Sequence, residues 1–360
     1  LTAKAARTAA SNAGAKVVKT FAYEISGSEQ QEIYDINPDL VLLCGGTDGG
    51  NKEVIISNAK HLVAIDRPFT TIVAGNKSAN DDIKAIFNEA GKDVVITENV
   101  MPQFNKLNIE PARDAIRQLF ISRIIEAKGL NILQAMTPYK IIPTPLAVLH
   151  ACELLSKGTK IQQGRGDLLA VDIGGATTDV YSMASGEPTV DNTMLKGLPE
   201  PWMKRTVEGD LGMRYSLTHV YEQIPGSDNP ENEYMQQVKA WVELCTAHPD
   251  TLAAPGSEEE KLEEFLGRSA VSMAVERHCG RIADVFTPLG LMHTQEGKDL
   301  MNVPSVIGIG GVLRNSRRPE EILKGSLYDF MHPECTKPRK PKFYLDQKYI
   351  FASMGLLRSI

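Results

Sequence analysis

Between Pro38 and Val100 the chain repeats one unit: a short apolar run, a few glycines or polar residues, then an amphipathic stretch. Leu40 to Leu43 in PDLVLLCGGTDGG (38–50) are continuously apolar rather than alternating, the pattern of a strand covered on both faces of a parallel sheet. NKEVIISNAKHLV (51–63) reads as helix, TTIVAGN (70–76) as strand, SANDDIKAIFNEAG (78–91) as helix and KDVVITENV (92–100) as strand. Strands separated by helices need crossover connections, so this part is an α/β layer on a mostly parallel sheet. KVVKTFAYEI (16–25) is expected to add a strand ahead of a helix or turn at 28–36. Ile116, Leu119, Phe120, Ile124 and Ile125 form a helical stripe expected to face a core.

Pro143 and Pro145 break the pattern, LAVLHACELLSKG (146–158) resumes as helix, and GRGD (164–167) leads into the next strand. A chain of 360 residues, 42% of them hydrophobic, has material for two cores. The lobe boundary is placed at GRGD, giving a first α/β lobe over 1–165 and a second over 166–360, with a helical subdomain at about 205–300. Within the second lobe SEEEKLEE (257–264) reads as a solvated helix face and TKPRKPK (336–342) as an exposed linker. The opening alanines Ala5, Ala6, Ala9 and Ala10 are spaced like a helix already in progress, which points to residues upstream of Leu1.

Charge and cysteine usage exclude several classes. A net charge of -6 offers no basic face to nucleic acid or to an anionic membrane. No apolar run reaches the roughly 20 residues of a membrane span. The five cysteines include no CxxC pair, so neither a disulfide framework nor a metal cradle is indicated, and a reducing cytoplasm is the expected compartment. The seven histidines show no ligand spacing and read as structural or surface residues.

The chemistry concentrates in LAVDIGGATTDVYSM (169–183), two strands around a tight glycine turn. Backbone N–H groups of Gly174, Gly175 and Ala176, with the hydroxyls of Thr177 and Thr178, can ring a phosphate. Asp172 and Asp179 would repel that phosphate unless a magnesium ion lies between them, and either could orient an attacking water. A glycine turn alone is common; two aspartates bracketing it, each on a strand, are not. Gly308, Gly310 and Gly311 follow the strand Ser305-Val306-Ile307 and would let backbone approach a flat group such as adenine, although an ordinary strand-to-helix turn looks the same. Asp48 in CGGTDGGNKE and the acids Glu208 and Asp210 in TVEGDLGMR read equally as ligand contacts or as turn and helix-start chemistry.

DIGGATTDV resembles the second phosphate loop of the actin, sugar-kinase and heat-shock-chaperone ATPases, and GIGGVL resembles their adenosine motif. The resemblance implies a two-lobed, ribonuclease-H-like fold with ATP or ADP and Mg2+ as cofactors. Asp172 and Asp179 would then serve magnesium and hydrolysis, Gly174, Gly175, Ala176, Thr177 and Thr178 the phosphates, and Gly308, Gly310 and Gly311 the nucleoside. Two departures stand out: no DxGxT first phosphate loop is present, so the N-terminal hairpin of that fold is expected to be missing, and Ala176 stands where many relatives have glycine.

NPDLVLLCGGTDGGNKE, LAVDIGGATTDVYS, GLPEPWMKRTVEGDLGMRYS, GIGGVL and YIFASMGLL together resemble the GlmL/MutL family, accessory factors of adenosylcobalamin-dependent glutamate mutase and related aminomutases. This implies an ATP-dependent reactivating, chaperone-like role, mutase subunits as partners and, as an open option, a homodimer. No DxHxxG cobalamin pattern occurs, so the cobalamin is expected on the partner. A small-molecule kinase of the same fold and a non-catalytic nucleotide-dependent scaffold are the competing expectations.

Overall fold

The computed structural model describes residues 2–13, 15, 17–127, 132, 135–137, 141–288 and 290–359. It is a mixed α/β protein whose contacts divide it into two compact units, residues 1–143 with 197–199, and residues 144–196 with 200–360.

The first unit carries helices α1 (Thr2–Asn12), α2 (Gly27–Ile36), α3 (Glu53–Val63), α4 (Asn80–Glu89) and α5 (Glu110–Ala127) around strands β1 (Leu40–Leu43), β2 (Thr70–Val73) and β3 (Val94–Ile96). The strands pair in parallel in the order β1-β2-β3, with Leu43 beside Val73 and Val73 beside Ile96. Successive side chains on a strand point to opposite faces, so β2 serves two layers. Val73 packs with Ile55, Ala59, Leu62, Ile83 and Phe87 of α3 and α4, while Ile72 packs with Ala13 and Ile116 on the other face. Ser26 caps α2: its hydroxyl accepts the Glu29 N–H and the Glu29 carboxylate returns to the Ser26 N–H, which satisfies two otherwise orphaned donors.

The strand expected over 16–25 does not form in its described residues, 17–25. Tyr23 takes a positive φ of 71°, which breaks extended pairing, and the Ile25 N–H goes to the Asn58 side chain instead of a neighbouring strand. The stripe on α5 is also narrower than expected. Ile116 is buried but Phe120 is 40% exposed, and the Ile124 and Ile125 side chains lie outside the described residues.

The second unit opens with α6 (Thr144–Lys157), then β4 (Leu168–Ile173), β5 (Thr178–Met183), β6 (Thr193–Lys196) and β7 (Met203–Glu208). Helices α7 (Leu217–Glu222), α8 (Glu233–Ala247) and α9 (Glu258–His278) follow, then β8 (Arg281–Thr287), β9 (Gly290–Glu296), β10 (Ser305–Ile309), α10 (Gly311–Asn315), α11 (Pro319–Leu323), β11 (Lys342–Leu345) and α12 (Phe351–Leu356). The main sheet runs β11-β10-β4-β5-β7, with β11, β10 and β4 parallel and β5 antiparallel to both of its neighbours. Leu168, Leu169, Ala170 and Val171 of β4 are fully buried, as its continuous apolar run requires. A buried Leu or Val contributes about 1.5–3 kcal/mol, so this strand anchors the hairpin that follows it. Gly355 brings α12 against α6, since a Cβ there would lie 1.7 Å from the Ala147 carbonyl oxygen.

The region expected to be helical to residue 300 stops being helical at His278. Ser257 caps the start of α9 ahead of three glutamates in its first turn, favourable to the helix dipole, and Cys279 is already extended. Gly280 then passes so close to Gly297 that a Cβ would fall 2.8 Å from the Gly297 carbonyl carbon. The stretch 281–296 is a β8–β9 hairpin, joined in parallel by β6 as a sheet of order β6-β9-β8.

Two surface expectations are corrected as well. Glu260 and Glu264 of SEEEKLEE are buried: Glu260 accepts the Gly256 and Arg317 N–H groups, and Glu264 accepts Ser316 Oγ and Arg318. TKPRKPK begins inside the unit, where Lys337 Nζ donates to Ser272 Oγ at 2.9 Å.

Candidate functional site

The β4–β5 hairpin pairs Asp172 with Asp179 and Ile173 with Thr178, leaving Gly174 to Thr177 as its turn. The turn is tied from one side only. Gly174 O accepts Met213 N–H at 3.0 Å, Gly175 O accepts Arg214 and Tyr215 N–H at 2.8 Å each, and Ala176 O accepts Ser216 Oγ at 2.9 Å. With the carbonyls held by 213–216, no acceptor among the described residues takes the N–H of Gly175, Ala176 or Thr177. Three consecutive free amides in a rigid turn are a cradle for an anion. Ala176 is exposed, so its methyl does not fill the turn, and it is the backbone of Ala176 that Gly212 approaches.

The two threonines differ. Thr178 is fully buried and its hydroxyl donates to the Leu211 carbonyl, which turns it away from any ligand. Thr177 is only half-buried and donates to Asp179 Oδ2 at 3.3 Å.

The two aspartates also differ. Asp179 is buried against Arg205, whose Nε donates to Oδ1 at 2.8 Å and whose Nη2 closes on the same oxygen. A buried carboxylate held this way is a structural anion: breaking such a pair costs about 3–5 kcal/mol. Among the described residues no such counter-ion contacts Asp172. Burial, then the Asp179 charge, push its carboxyl up to about 7, with Arg205 pulling the other way and Asp346 adding to the rise. Asp172 is therefore poised between a proton and a cation at neutral pH. Among the described residues no cluster of three or more His, Cys, Asp or Glu could hold a metal by itself.

Sequence reasoning missed Arg205 and Asp346. Arg205 lies on β7 and pairs across the sheet with Tyr181; a lone arginine inside MKRTVE gave no motif to notice. Asp346 follows β11 and accepts the Ile350 and Phe351 N–H groups at the start of α12. An acid directly after an apolar strand and before a helix was its only signal.

The glycines of GIGGVL divide by task. Gly310 has φ 114°, and a Cβ on it would sit 2.2 Å from the Ile173 carbonyl oxygen, so β10 meets the hairpin strand backbone to backbone. Gly308 makes room for Leu313 and Leu323, whereas around Gly311 nothing lies within 4 Å of an added Cβ. Ile309 pairs with Asp172, which places the open Gly311 next along the edge that carries the carboxylate.

The other candidates are committed elsewhere. Arg277 donates to Glu208 at 2.8 Å and to both Asp210 oxygens at 2.8 and 2.9 Å, and the guanidinium holds the Asp210 carboxyl below its ordinary value. Asp48 belongs to the first unit and accepts the Lys77 N–H and the Asn99 amide.

A family profile described as "MutL protein" matches residues 1–360. A curated relative from Clostridium tetanomorphum, "Protein MutL", is 46% identical over 360 residues, covering 99% of this chain and 78% of that protein. The chain belongs to the MutL family. The match spans both units. Among the described residues no helix is long and apolar enough to cross a membrane.

Proposed function

We propose that the chain is an ATP-binding accessory factor for an adenosylcobalamin-dependent mutase, glutamate mutase or a related aminomutase, with the nucleotide phosphates on the Gly174–Thr177 turn. One observation carries the reading: the turn has its carbonyls anchored and its amides free, beside the half-buried carboxylate of Asp172, which contacts no counter-ion among the described residues. Membership of the MutL family supports the accessory role. The finer fold reading, an actin-like ATPase, is supported by a hairpin that extends three parallel strands and presents its turn where β10 ends in glycine.

In this reading Gly175, Ala176 and Thr177 donate N–H groups to phosphate oxygens, Asp172 faces the magnesium ion, and Gly311 lies against the nucleoside. Mg2+ keeps several waters and takes one or two carboxylates plus phosphate oxygens, so a single open aspartate suits it. Magnesium supplies charge neutralisation between phosphate and carboxylate. Arg205 holds Asp179 in an ion pair, which leaves the role at the ion to Asp172 and gives Asp179 a positioning role through Thr177. ATP and ADP states act on a mutase only through different affinities for it, so reactivation requires that the two nucleotides change partner binding unequally.

Calorimetric titration of the full natural chain with ATP and ADP in the presence of Mg2+ tests this. Asp172→Ala should weaken Mg-ATP binding by at least about tenfold, the order of one charged contact. Absence of adenine-nucleotide binding by the unaltered protein would sink the proposal.

A further inference from the structure

The glycine-rich segment CGGTDGG has no part in the nucleotide reading, yet it borders a cleft of about 600 Å³ within the first unit. The cleft lies at the carboxyl ends of β1, β2 and β3, the edge where parallel sheets bind ligands because no helix covers it. Asp48, Lys77, Asn80, Glu98, Asn99 and Asn108 supply its polar lining, with Ile96, Pro102 and Pro111 as apolar wall.

The lining is held in place from beneath. Asn76, fully buried, accepts the Gly49 and Ser78 N–H groups and donates to the Gly50 and Asn51 carbonyls, which fixes the loop after β1 to the loop after β2. Asn99, also buried, donates to Gly46 O and to Asp48 Oδ1 at 3.0 Å each and accepts the Met101 N–H. Asp48 Oδ1 is therefore set by two donors, Asn99 and the Lys77 N–H at 3.1 Å, while no donor among the described residues takes Oδ2. Glu98 is placed by Asn108, which donates to Oε2 at 3.0 Å. The side-chain oxygen of Asn80 is buried and has no hydrogen-bond partner among the described residues. A buried orphan acceptor is costly unless a ligand supplies the donor.

Every unmet group named here is an acceptor, two of them anionic, against the single cation of Lys77. Phosphate binding calls for the opposite lining. Among the described residues no group of three or more His, Cys, Asp or Glu stands here to hold a metal ion by itself. We propose that this cleft binds a small molecule through a protonated primary amine, which Asp48 Oδ2 and Asn80 Oδ1 receive, with Glu98 adding charge at the rim. The site stands apart from the nucleotide reading and survives its failure.

The probe is 1,4-diaminobutane, with 1,4-butanediol as its neutral counterpart and inorganic phosphate as the anion. Binding to the full chain is followed by saturation-transfer NMR, and the melting temperature of every variant is measured alongside. The amine should bind and the diol and phosphate should not. Asp48→Asn should weaken amine binding about tenfold or more; because it disturbs a braced loop, Glu98→Gln and Asn80→Leu provide the same readout with the Asp48 contacts intact. Loss of affinity in Glu98→Gln or Asn80→Leu at an unchanged melting temperature supports the site. Equal binding of the diol, no binding of the amine, or wild-type affinity in all three variants overturns it.

Discussion

Asp172 combines two properties that pull against each other. Its carboxyl holds a proton up to about pH 7 in the folded protein, whereas an unfolded aspartate releases it near its ordinary value of 3.8. The folded state therefore binds more protons between these values, and stability falls as pH rises from about 4 to about 7. Above pH 7 the full cost of the buried charge is present, on the order of 4 kcal/mol. Asp172→Asn should accordingly raise stability at pH 8 and leave it unchanged near pH 4, as read by urea denaturation at the two values. The same ionisation should govern the cation: Mg-ATP affinity of the unaltered protein should fall below pH 7, approaching about tenfold per pH unit, and that slope should vanish in Asp172→Asn.

At the scale of elements, the glycines after β10 separate folding from binding. Gly310→Ala places a methyl against the Ile173 carbonyl at a φ of 114°, so β10 must move from β4 or strain its backbone. A loss of about 2–4 kcal/mol is expected, measured as a lower urea midpoint. Gly311→Ala meets open space and should stay within about 0.5 kcal/mol of the parent while weakening adenine-nucleotide binding. Strands β4 and β10 beside these glycines were legible in the sequence because they are buried and nearly all apolar, and β1 because its four residues are all apolar. The β6-β9-β8 sheet was not, since it is largely exposed: Met194, Leu195, Phe286 and Leu291 stand among charged residues, and no period separates them from a polar helix. KVVKTFAYEI misled in the opposite sense, being apolar enough to pack with Phe21 and Ile25 on a core without pairing as a strand. In the candidate site the hairpin and its aspartates were visible as a local motif. Their inequality was not, because it depends on Arg205 from β7 and Asp346 after β11, residues that only the sheet brings near.

Across the whole molecule each unit has its own core, and the second contains a charge that its core tolerates poorly. Lys298 is fully buried and its Nζ donates to the Trp202 carbonyl at 2.6 Å and to Ser182 Oγ at 3.1 Å, all neutral acceptors. Ser182 in turn contacts His278 Nε2 at 2.8 Å, and Thr206 contacts His278 Nδ1, so the polar cluster joins β5, β7, α9 and the end of β9. Burial and the neighbouring Lys204 pull the Lys298 ammonium down to about 7, with Glu200 and Asp167 opposing. The unfolded chain keeps its proton to about 10.5, so between pH 7 and that value it binds more protons than the folded state, and stability from this group rises with pH. Lys298→Met removes the titration but also strands the Trp202 and Ser182 acceptors, so its net effect at one pH is a difference of opposed costs. The slope is free of that ambiguity. From pH 7 to pH 9 the parent should gain about 1.4 kcal/mol per pH unit relative to the variant. Hydrogen exchange of β4 and β5 amides, corrected for intrinsic rates, should show the gain, while β1 and β2 amides in the first unit should show none. An equal response in both units would place the pH sensitivity outside the Lys298 cluster.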